Sequence, residues 1–309
     1  MNKEIISVVV LSYNSEKTII ETLDSILSQD YGSEFIELIV SDDASKDATQ
    51  KITSEWLELH KNKFHKTLYN IYDYNTGIVN NFHSTCNKAS SIWIKPIAAD
   101  DILITNCLSE FLSFVKNHIE AQCVFCKVNR FNNISDLDVI PKNNYYYTLS
   151  AQEQFKNLLV DNFVAAPGCF IKSSCLKNVD ISEFKDMSME DYPLWLTLTK
   201  SNIPLFFLDN VLIKYRISNS LSNSSNRLIN AKLNNDVYLC KKKFILKMNN
   251  NNFYKLLLVI DIKLFRLVDI IKIKVFKNKK NRYTTLISPV IRLLSPLYII
   301  RKIKQKSSS

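Results

Sequence analysis

The stretch Ile5-Ile6-Ser7-Val8-Val9-Val10-Leu11, followed directly by Ser12-Tyr13-Asn14, decides the fold class of this chain. Its seven residues are mostly β-branched and include a single polar side chain, which is typical of a short strand buried on both faces. Asn14-Ser15 then offers a helix cap, and apolar residues recur at helical spacing between Ile19 and Leu27. A buried strand leading straight into an amphipathic helix favours an α/β fold.

The same alternation of strand and helix patterns continues through the first hundred residues. Further strands are predicted at Phe35–Val40, Leu68–Tyr72 and Ile92–Ile97. Strands separated by helices indicate a doubly wound parallel sheet, in which ligands bind outside the carboxyl ends of the strands. Three polar clusters follow predicted strands, namely Ser12-Tyr13-Asn14, Asp42-Asp43 and Asp100-Asp101. The sequence therefore predicts that acidic groups gather along one edge of the sheet.

The composition excludes several classes of protein. With 46% hydrophobic and 23% charged residues, the 309-residue chain is globular and long enough for one large domain with an appendage. It contains three glycines, so neither glycine-rich phosphate-binding motif can be assembled. Cys123 and Cys126 have C-x-x-C spacing, but no second pair exists, and two buried thiols in a strand are favoured over a zinc or redox site. The apolar start is too short for a signal peptide, which predicts a cytoplasmic protein.

The net charge of +10 is unevenly distributed. Residues 1–225 contain 20 lysines and arginines against 27 acidic residues, whereas residues 226–309 contain 20 against three. The most apolar run of the second part, Leu286–Ile300, is interrupted by Arg292 and two prolines, so no membrane span is expected. We predict a domain at 1–225 and a basic amphipathic helical tail at 226–309 that lies on an anionic membrane surface. The alternative is a solvated helical cap on the domain.

Each acidic pair has two interpretations when it is taken alone. Asp100-Asp101 suits a divalent metal that carries a diphosphate, or caps a helix beginning at Ile102-Leu103. Asp42-Asp43 suits a nucleoside, or forms an Asx-type turn. Glu190-Asp191 suits a general base, or caps the helix that follows.

Taken together, the clusters resemble a known family. The matching segments, in order, are Val8–Asn14, Ile39–Asp47, Asn75–Gly77, Ile97–Leu103 and Glu190–Asp191. In order and spacing they are similar to family 2 glycosyltransferases of the GT-A fold, of the type that builds bacterial surface polysaccharides, and the resemblance covers residues 4–220. It implies an α/β fold with a doubly wound, Rossmann-like mixed sheet, followed by the basic helical region.

The resemblance also implies roles for individual residues. The nucleotide of the donor would be bound by Ser12, Tyr13, Asn14, Asp42, Asp43, Asn75, Gly77 and Asp100. Asp101 would hold Mn²⁺ or Mg²⁺, and Asp191 would be the catalytic base, oriented by Glu190. The donor implied by the family is a UDP-sugar, and the reaction is a single inverting displacement.

Two features depart from commoner patterns of the family. Ala98 stands where an aspartate usually lies two positions before Asp100, so the site has one carboxylate fewer. The Gln-x-x-Arg-Trp motif of processive members is missing, which favours transfer of a single sugar. The implied acceptor is a glycan, lipid-linked in capsule or O-antigen assembly, reached at the inner face of the cell membrane.

Two rival functions were weighed on the sequence. A sugar-1-phosphate nucleotidyltransferase needs a glycine-rich stretch after the first strand, where this chain has Ser12–Ser15. A non-catalytic, membrane-associated scaffold with a degenerate nucleotide-sugar site stays open as the alternative. No nucleic-acid partner is expected, because the body of the chain is acidic.

Overall fold

The computed structural model describes residues 3–132, 134–177, 179, 183–217, 227–248, 253–281, 284, 286, 290 and 293–307. Within these ranges, helices flank both faces of one nine-stranded mixed sheet. Two clusters of buried apolar side chains form the core, one on each face of this sheet.

The first half of the sheet is doubly wound and parallel, as the sequence predicts. Its elements are β1 (Ile6–Ser12), α1 (Ile19–Leu27), β2 (Ile36–Asp42), α2 (Thr49–His60), β3 (Lys66–Ile71), α3 (Ile78–Cys86) and β4 (Trp93–Ala98). The strands lie in the order β3-β2-β1-β4, and each neighbouring pair is parallel. Every residue of β2 is buried, which explains why the apolar residues Leu38, Ile39 and Val40 follow one another without alternation.

The second half makes the sheet mixed. Its elements are β5 (Ile102–Leu103), α4 (Cys107–Asn117), β6 (Cys123–Phe131), β7 (Asp136–Ile140), α5 (Ala151–Val160), β8 (Phe170–Lys172), α6 (Ser173–Lys177), α7 (Asp191–Lys200) and β9 (Leu205–Arg216). The order continues β4-β8-β6-β9-β5, with β8 antiparallel to both neighbours and β7 paired to β6. Cys123 and Cys126 are free, buried thiols in β6, so the structural interpretation of this pair is confirmed.

Three helices of the basic region pack against this sheet domain. They are α8 (Ala231–Leu246), α9 (Phe253–Lys274) and α10 (Pro296–Ser307). Their buried side chains Cys240, Phe244, Leu258, Ile262 and Leu297 belong to the same apolar cluster as α5 and α7. The inner faces of these helices thus form a cap on the domain. None of the helices in the described ranges combines the length and the apolarity that a membrane crossing requires.

The helix cap predicted at Asn14-Ser15 is wrong, and so is the cap interpretation of Asp100-Asp101. Helix α1 begins only at Ile19, after Thr18, and no side chain caps it. Asn14 instead has a left-handed backbone (φ 51°), and its side-chain oxygen accepts the N–H of Lys46 at 2.8 Å, so tertiary hydrogen bonds replace the cap. Asp100-Asp101 caps no helix either, because the following residues form β5.

Candidate active site

A cavity of about 620 Å³ lies at the carboxyl ends of β1 and β4 and extends to α7 and α8. Two acidic pairs that are distant in sequence line it together: Asp100-Asp101, which follows β4, and Glu190-Asp191, which begins α7. Leu11 and Ala98 contribute the ends of β1 and β4 to the same wall. The cavity therefore joins one acidic pair of the predicted edge, Asp100-Asp101, to Glu190-Asp191, which the strand pattern did not place there.

Asp101 is a buried carboxylate with only 1% of its surface exposed. Its Oδ1 accepts the backbone N–H of Arg216 at 3.0 Å, and its backbone carbonyl accepts the hydroxyl of Thr22 at 2.7 Å. Burial, and then the charge of neighbouring Asp100, raise the pKa of Asp101 well above its usual range. A bound cation would offset the cost of ionising Asp101 and lower its pKa, so the position suits a carboxylate that holds a metal ion.

Two cationic side chains flank the Asp100-Asp101 pair. Arg216, at the end of β9, donates from Nε to the carbonyl of Asp100 at 2.9 Å and forms an ion pair with Glu21. Lys95 is completely buried in β4, and its ammonium donates to the carbonyls of Pro96 and Pro167 at 2.8 and 2.7 Å.

The charge of Lys95 acts to lower the pKa of Asp101, which burial raises. The sequence analysis did not identify Lys95. The signal was available, because Lys95 is the one charged residue in the apolar strand segment Trp93–Ile97.

Glu190 and Asp191 lie half-buried at the N-terminus of α7. The side chain of Glu190 makes no capping hydrogen bond to the helix, so the cap interpretation does not account for it. Burial, and then the charge of Asp191, raise the pKa of Glu190 to about 8. Burial also raises the pKa of Asp191, against hydrogen bonds from the first backbone N–H groups of the helix. A carboxylate with a raised pKa binds a proton more tightly, as a general base requires.

Asp42 is fully buried and holds the loops after β1 and β2 together. Its carboxylate accepts the hydroxyl of Ser12 at 3.0 Å, the N–H and hydroxyl of Ser45 at 2.8 and 2.6 Å, and the amide of Gln50 at 2.8 Å. These bonds use the acceptor capacity of a carboxylate. The turn interpretation describes Asp42 in this structure, and its contact with a nucleotide stays a prediction.

Asp43 brings the predicted loop at Asn75–Gly77 to the end of β2. Its carboxylate accepts the N–H and hydroxyl of Thr76 at 2.7 and 2.8 Å and the N–H of Gly77 at 3.0 Å. The amide of Asn75 donates to the backbone carbonyl of Asp43 at 3.3 Å. Gly77 has φ +84°, a backbone conformation that favours glycine, and it is the residue directly before α3.

The predicted site residues thus form two neighbouring groups. The four carboxylates of the two acidic pairs line the cavity, whereas Ser12, Tyr13, Asn14, Asp42, Asp43, Asn75 and Gly77 do not. Leu11 and Ile78 do line it, and they are bonded directly to Ser12 and Gly77, so the second group borders the cavity. Tyr13 is 49% exposed at that border.

The carboxylates of Asp100 and Asp101 suit a metal ion that also binds a substrate. The part of the chain that the structure describes contains no group of three or more His, Cys, Asp or Glu side chains that could hold a metal. Mg²⁺ and similar ions are often bound by one or two carboxylates together with phosphate oxygens of a substrate. Asp100 and Asp101 match this arrangement and do not form a cage that the protein completes alone.

The sequence profile described as glycosyl transferase family 2 matches residues 7–176, more than half of the chain. This chain belongs to that family. The family and the glycosyltransferase activity predicted from the five segments are confirmed. The alternative of a non-catalytic scaffold is not favoured.

Two bacterial proteins are among the relatives of this family 2 chain. It is 30% identical over 239 residues, 77% of this chain and 86% of the relative, to the UDP-Glc:alpha-D-GlcNAc-diphosphoundecaprenol beta-1,3-glucosyltransferase WfgD of Escherichia coli. It is 25% identical over 241 residues, 73% of this chain and 83% of the relative, to the putative teichuronic acid biosynthesis glycosyltransferase TuaG of Bacillus subtilis.

Solved structures show the same fold. The S. aureus TarS 1-349 complex with UDP superposes with a TM-score of 0.62 at 19% identity, covering 90% of this chain and 76% of that one. The mannosyltransferase PcManGT from Pyrobaculum calidifontis, in complex with GDP-Man and Mn²⁺, gives 0.57 at 12% identity, with 98% and 80% covered. The predicted GT-A architecture is confirmed.

Proposed function

We propose that this protein transfers one sugar, with inversion, from a UDP-sugar to a glycan acceptor on a lipid diphosphate, in the assembly of a bacterial surface polysaccharide. The observation that carries the proposal is the shared cavity, because a candidate metal-binding pair and a candidate base both line it. The E. coli relative is named for UDP-Glc and a diphosphoundecaprenol-linked acceptor. TarS structures contain UDP or UDP-GlcNAc.

The donor would bind across the border between the two groups of residues. The loop ends at Ser12–Asn14 and at Asp43 would contact the nucleoside, with Asn75 and Gly77 beside it and Asp100 near the ribose. Asp101 would hold Mn²⁺ or Mg²⁺, which supplies positive charge to a leaving diphosphate. Lys95 and Arg216 then fix the segment that carries these carboxylates, since both donate to backbone carbonyls around it.

The acceptor step assigns one proton to Asp191. As the acceptor hydroxyl oxygen forms its bond to the anomeric carbon, Asp191 takes the hydroxyl proton, and the bond from the anomeric carbon to the diphosphate oxygen breaks. The nucleoside diphosphate leaves with the electron pair of that bond, and attack from the opposite face inverts the configuration. Glu190 stabilises the protonated form of Asp191 when it is itself ionised, because two adjacent buried carboxylates do not both ionise readily.

A first experiment tests the donor site. Thermal stability is measured against a panel of nucleoside diphosphates, each with and without Mn²⁺, and binding at 100 times the dissociation constant adds about 2.7 kcal/mol. We expect a metal-dependent rise in Tm with UDP that Asp101→Ala abolishes and the exposed control Asp136→Ala retains. If no nucleotide raises the Tm of the wild-type protein, the proposed donor chemistry is wrong and the scaffold alternative gains support.

The outer face of α9 supports attachment to a membrane. The large apolar side chains Leu256, Ile260, Leu267 and Ile270 are exposed there, at helical spacing with Lys263 and Lys274. A helix with an apolar stripe and lysines suits the surface of an anionic bilayer. This face supports the proposal that the protein lies peripherally at the inner face of the cell membrane.

Sedimentation with anionic liposomes tests this attachment. Leu267→Glu should reduce the sedimented fraction, because it puts a charge into the apolar stripe. Leu59→Glu, an equally drastic change at an exposed leucine of α2, should not. Equal sedimentation of the two variants and the wild type would contradict the role of α9.

A further inference from the structure

A second cavity, of about 230 Å³, lies within the helical cap between α5, α8, α9 and α10. Three cationic side chains line it, namely Lys241, Arg266 and Lys272. Apolar side chains, among them Ile262, Phe265 and Tyr298, line it as well. The cavity therefore combines positive charge with an apolar wall.

The second cavity adjoins the candidate active site. Asp161, Val237 and Lys241 line both cavities, so these three residues form the boundary between the two spaces. The proximity is also electrostatic: burial raises the pKa of Cys240 to about 12, with smaller opposing effects from the charges of Lys241 and Asp191. The charges of the proposed base and of Lys241 therefore both reach the same thiol.

The charges around the second cavity are predominantly positive. Lys241 and Lys272 are only 9% and 7% exposed, and the ammonium of Lys241 donates to the backbone carbonyl of Val160 at 2.8 Å. Of the two carboxylates in the lining, Asp161 is paired with Arg301 at 3.3 Å.

The other carboxylate, Asp269, accepts the amide of Asn234 at 3.0 Å and lies 4.0 Å from the ammonium of Lys272. The described lining thus contains three cationic side chains and two carboxylates, which gives it a net positive charge. A cavity with a net positive lining favours an anionic ligand.

We propose that the second cavity binds the phosphate next to the acceptor sugar. Its oxygens would contact Lys241, Arg266 and Lys272, and the first carbons of a prenyl chain would pack on Ile262, Phe265 and Tyr298. An acceptor whose hydroxyl lies at Asp191 then extends past Lys241, which lines both cavities, and its phosphate reaches the cap. This inference rests on the proposed transfer to a phosphate-bearing acceptor, and it names the residues that recognise that phosphate.

A direct binding experiment tests the cavity without relying on catalysis. Geranyl diphosphate, inorganic diphosphate and geraniol are titrated into the full-length protein, with UDP binding measured alongside. We expect geranyl diphosphate to bind, and Arg266→Gln and Lys272→Met each to weaken it at least tenfold. Lys242→Met is the matched control, because Lys242 is an exposed lysine of α8 outside the cavity, and it should bind as the wild type does.

The outcomes separate this inference from the proposed function. If inorganic diphosphate binds as tightly as geranyl diphosphate, the cationic residues bind phosphate, but the apolar side chains do not contact a prenyl chain and that part of the proposal is wrong. Absence of geranyl diphosphate binding, or equal binding by all variants, overturns the inference even if UDP binds normally. Normal geranyl diphosphate binding without any UDP binding would instead contradict the proposed donor chemistry and leave the second cavity standing.

Kinetics with matched acceptors provide the second measurement. For a sugar on a prenyl diphosphate, Arg266→Gln and Lys272→Met should raise KM at least tenfold with little change in kcat. For the methyl glycoside of the same sugar, which lacks phosphate, both variants should match the wild type. Equal rises in KM for the two acceptors would show that the cations only support the structure.

Discussion

Two buried carboxylates at opposite ends of the same sheet have opposite electrostatic environments. Glu37, near the start of β2, and Asp101, after the end of β4, are each 1% exposed. Although burial alone would raise it, the pKa of Glu37 is lowered by hydrogen bonds from Ser7 and Ser90 and by the charge of Lys66. Burial and a neighbouring carboxylate instead raise the pKa of Asp101.

The difference shows how this fold separates structural from functional charge. At the amino ends of the strands, the protein supplies the donors itself: Ser90 alone gives Glu37 an N–H at 2.8 Å and a hydroxyl at 2.9 Å. At the carboxyl ends, four carboxylates line one cavity, and the pKa of each is raised. Ionisable groups whose pKa values are strongly shifted cluster at sites that bind ligands or carry out catalysis. Mutations at the two ends should therefore have different consequences.

The largest effect is expected for Asp191→Asn. If Asp191 takes the acceptor proton, the rate of transfer should fall by about 10³-fold, within the range for loss of a general base. The change is measured as kcat with saturating donor, together with the UDP-induced rise in Tm, which should be retained. Asp186→Asn, an exposed aspartate of the same segment, serves as control. A variant with more than a tenth of the wild-type rate would rule out Asp191 as the base.

Asp101→Asn should lower activity by about 10²-fold without lowering stability. The asparagine oxygen can still accept the N–H of Arg216, and the buried negative charge with its raised pKa is removed. Tm in the absence of nucleotide should therefore equal or exceed that of the wild type at neutral pH. A lower Tm would mean that Asp101, like Glu37, is a structural carboxylate.

Glu37→Gln should give the reverse pattern. The glutamine cannot accept all the hydrogen bonds from Ser7 and Ser90, so the free energy of unfolding should fall by about 1–3 kcal/mol. Because Glu37 does not line the cavity, kcat at a temperature where the variant is folded should be unchanged. Urea unfolding and initial rates measured on the same preparation test both halves, and a loss of kcat in the folded variant would argue against the separation of the two ends.

The two ends should also respond to pH in different ranges. A carboxyl with a raised pKa stabilises the folded state at low pH and loses this contribution as pH rises through the folded pKa, which is about 8 for Glu190. Tm without ligand should therefore decline by several degrees between about pH 5 and 8, and Glu190→Gln should flatten this decline.

Glu37 has a lowered pKa, so its contribution is present above its unfolded value and is lost only as pH falls below about 4. Glu37→Gln should leave the decline between pH 5 and 8 intact. A wild-type Tm that is constant across that range would contradict the raised pKa values at the cavity.

The contrast between the two ends also explains which parts of the site the sequence predicted. Strand β1 and the end of β4 were predictable because a buried parallel strand leaves a local apolar pattern and places its last residues at the ligand-binding edge. The helix cap at Asn14 failed because the amide bonds to Lys46, a partner 32 residues away that no local pattern reveals.

Long-range partners account for the other omissions. Lys95 is visible as a lone charge in an apolar strand, but its acceptor at Pro167 comes from a distant turn. The cavity in the cap needs helices from both halves of the chain, so the basic composition of residues 226–309 predicted an anionic partner without locating a site.

The smallest effect is expected at Ala98, where the ligand-binding end has one carboxylate fewer than the commoner pattern of the family. Ala98 is exposed and lines the cavity, so an aspartate there would face the same space as Asp100 and Asp101 without being buried. Ala98→Asp should lower the Mn²⁺ concentration needed for half-maximal UDP-induced stabilisation by roughly tenfold or less, because another carboxylate is added to the ligand set. Ala98→Asn, of the same size without the charge, should change it much less. Equal effects of both substitutions would indicate that shape and not charge at this position governs the metal, and that Asp101 supplies the deciding carboxylate by itself.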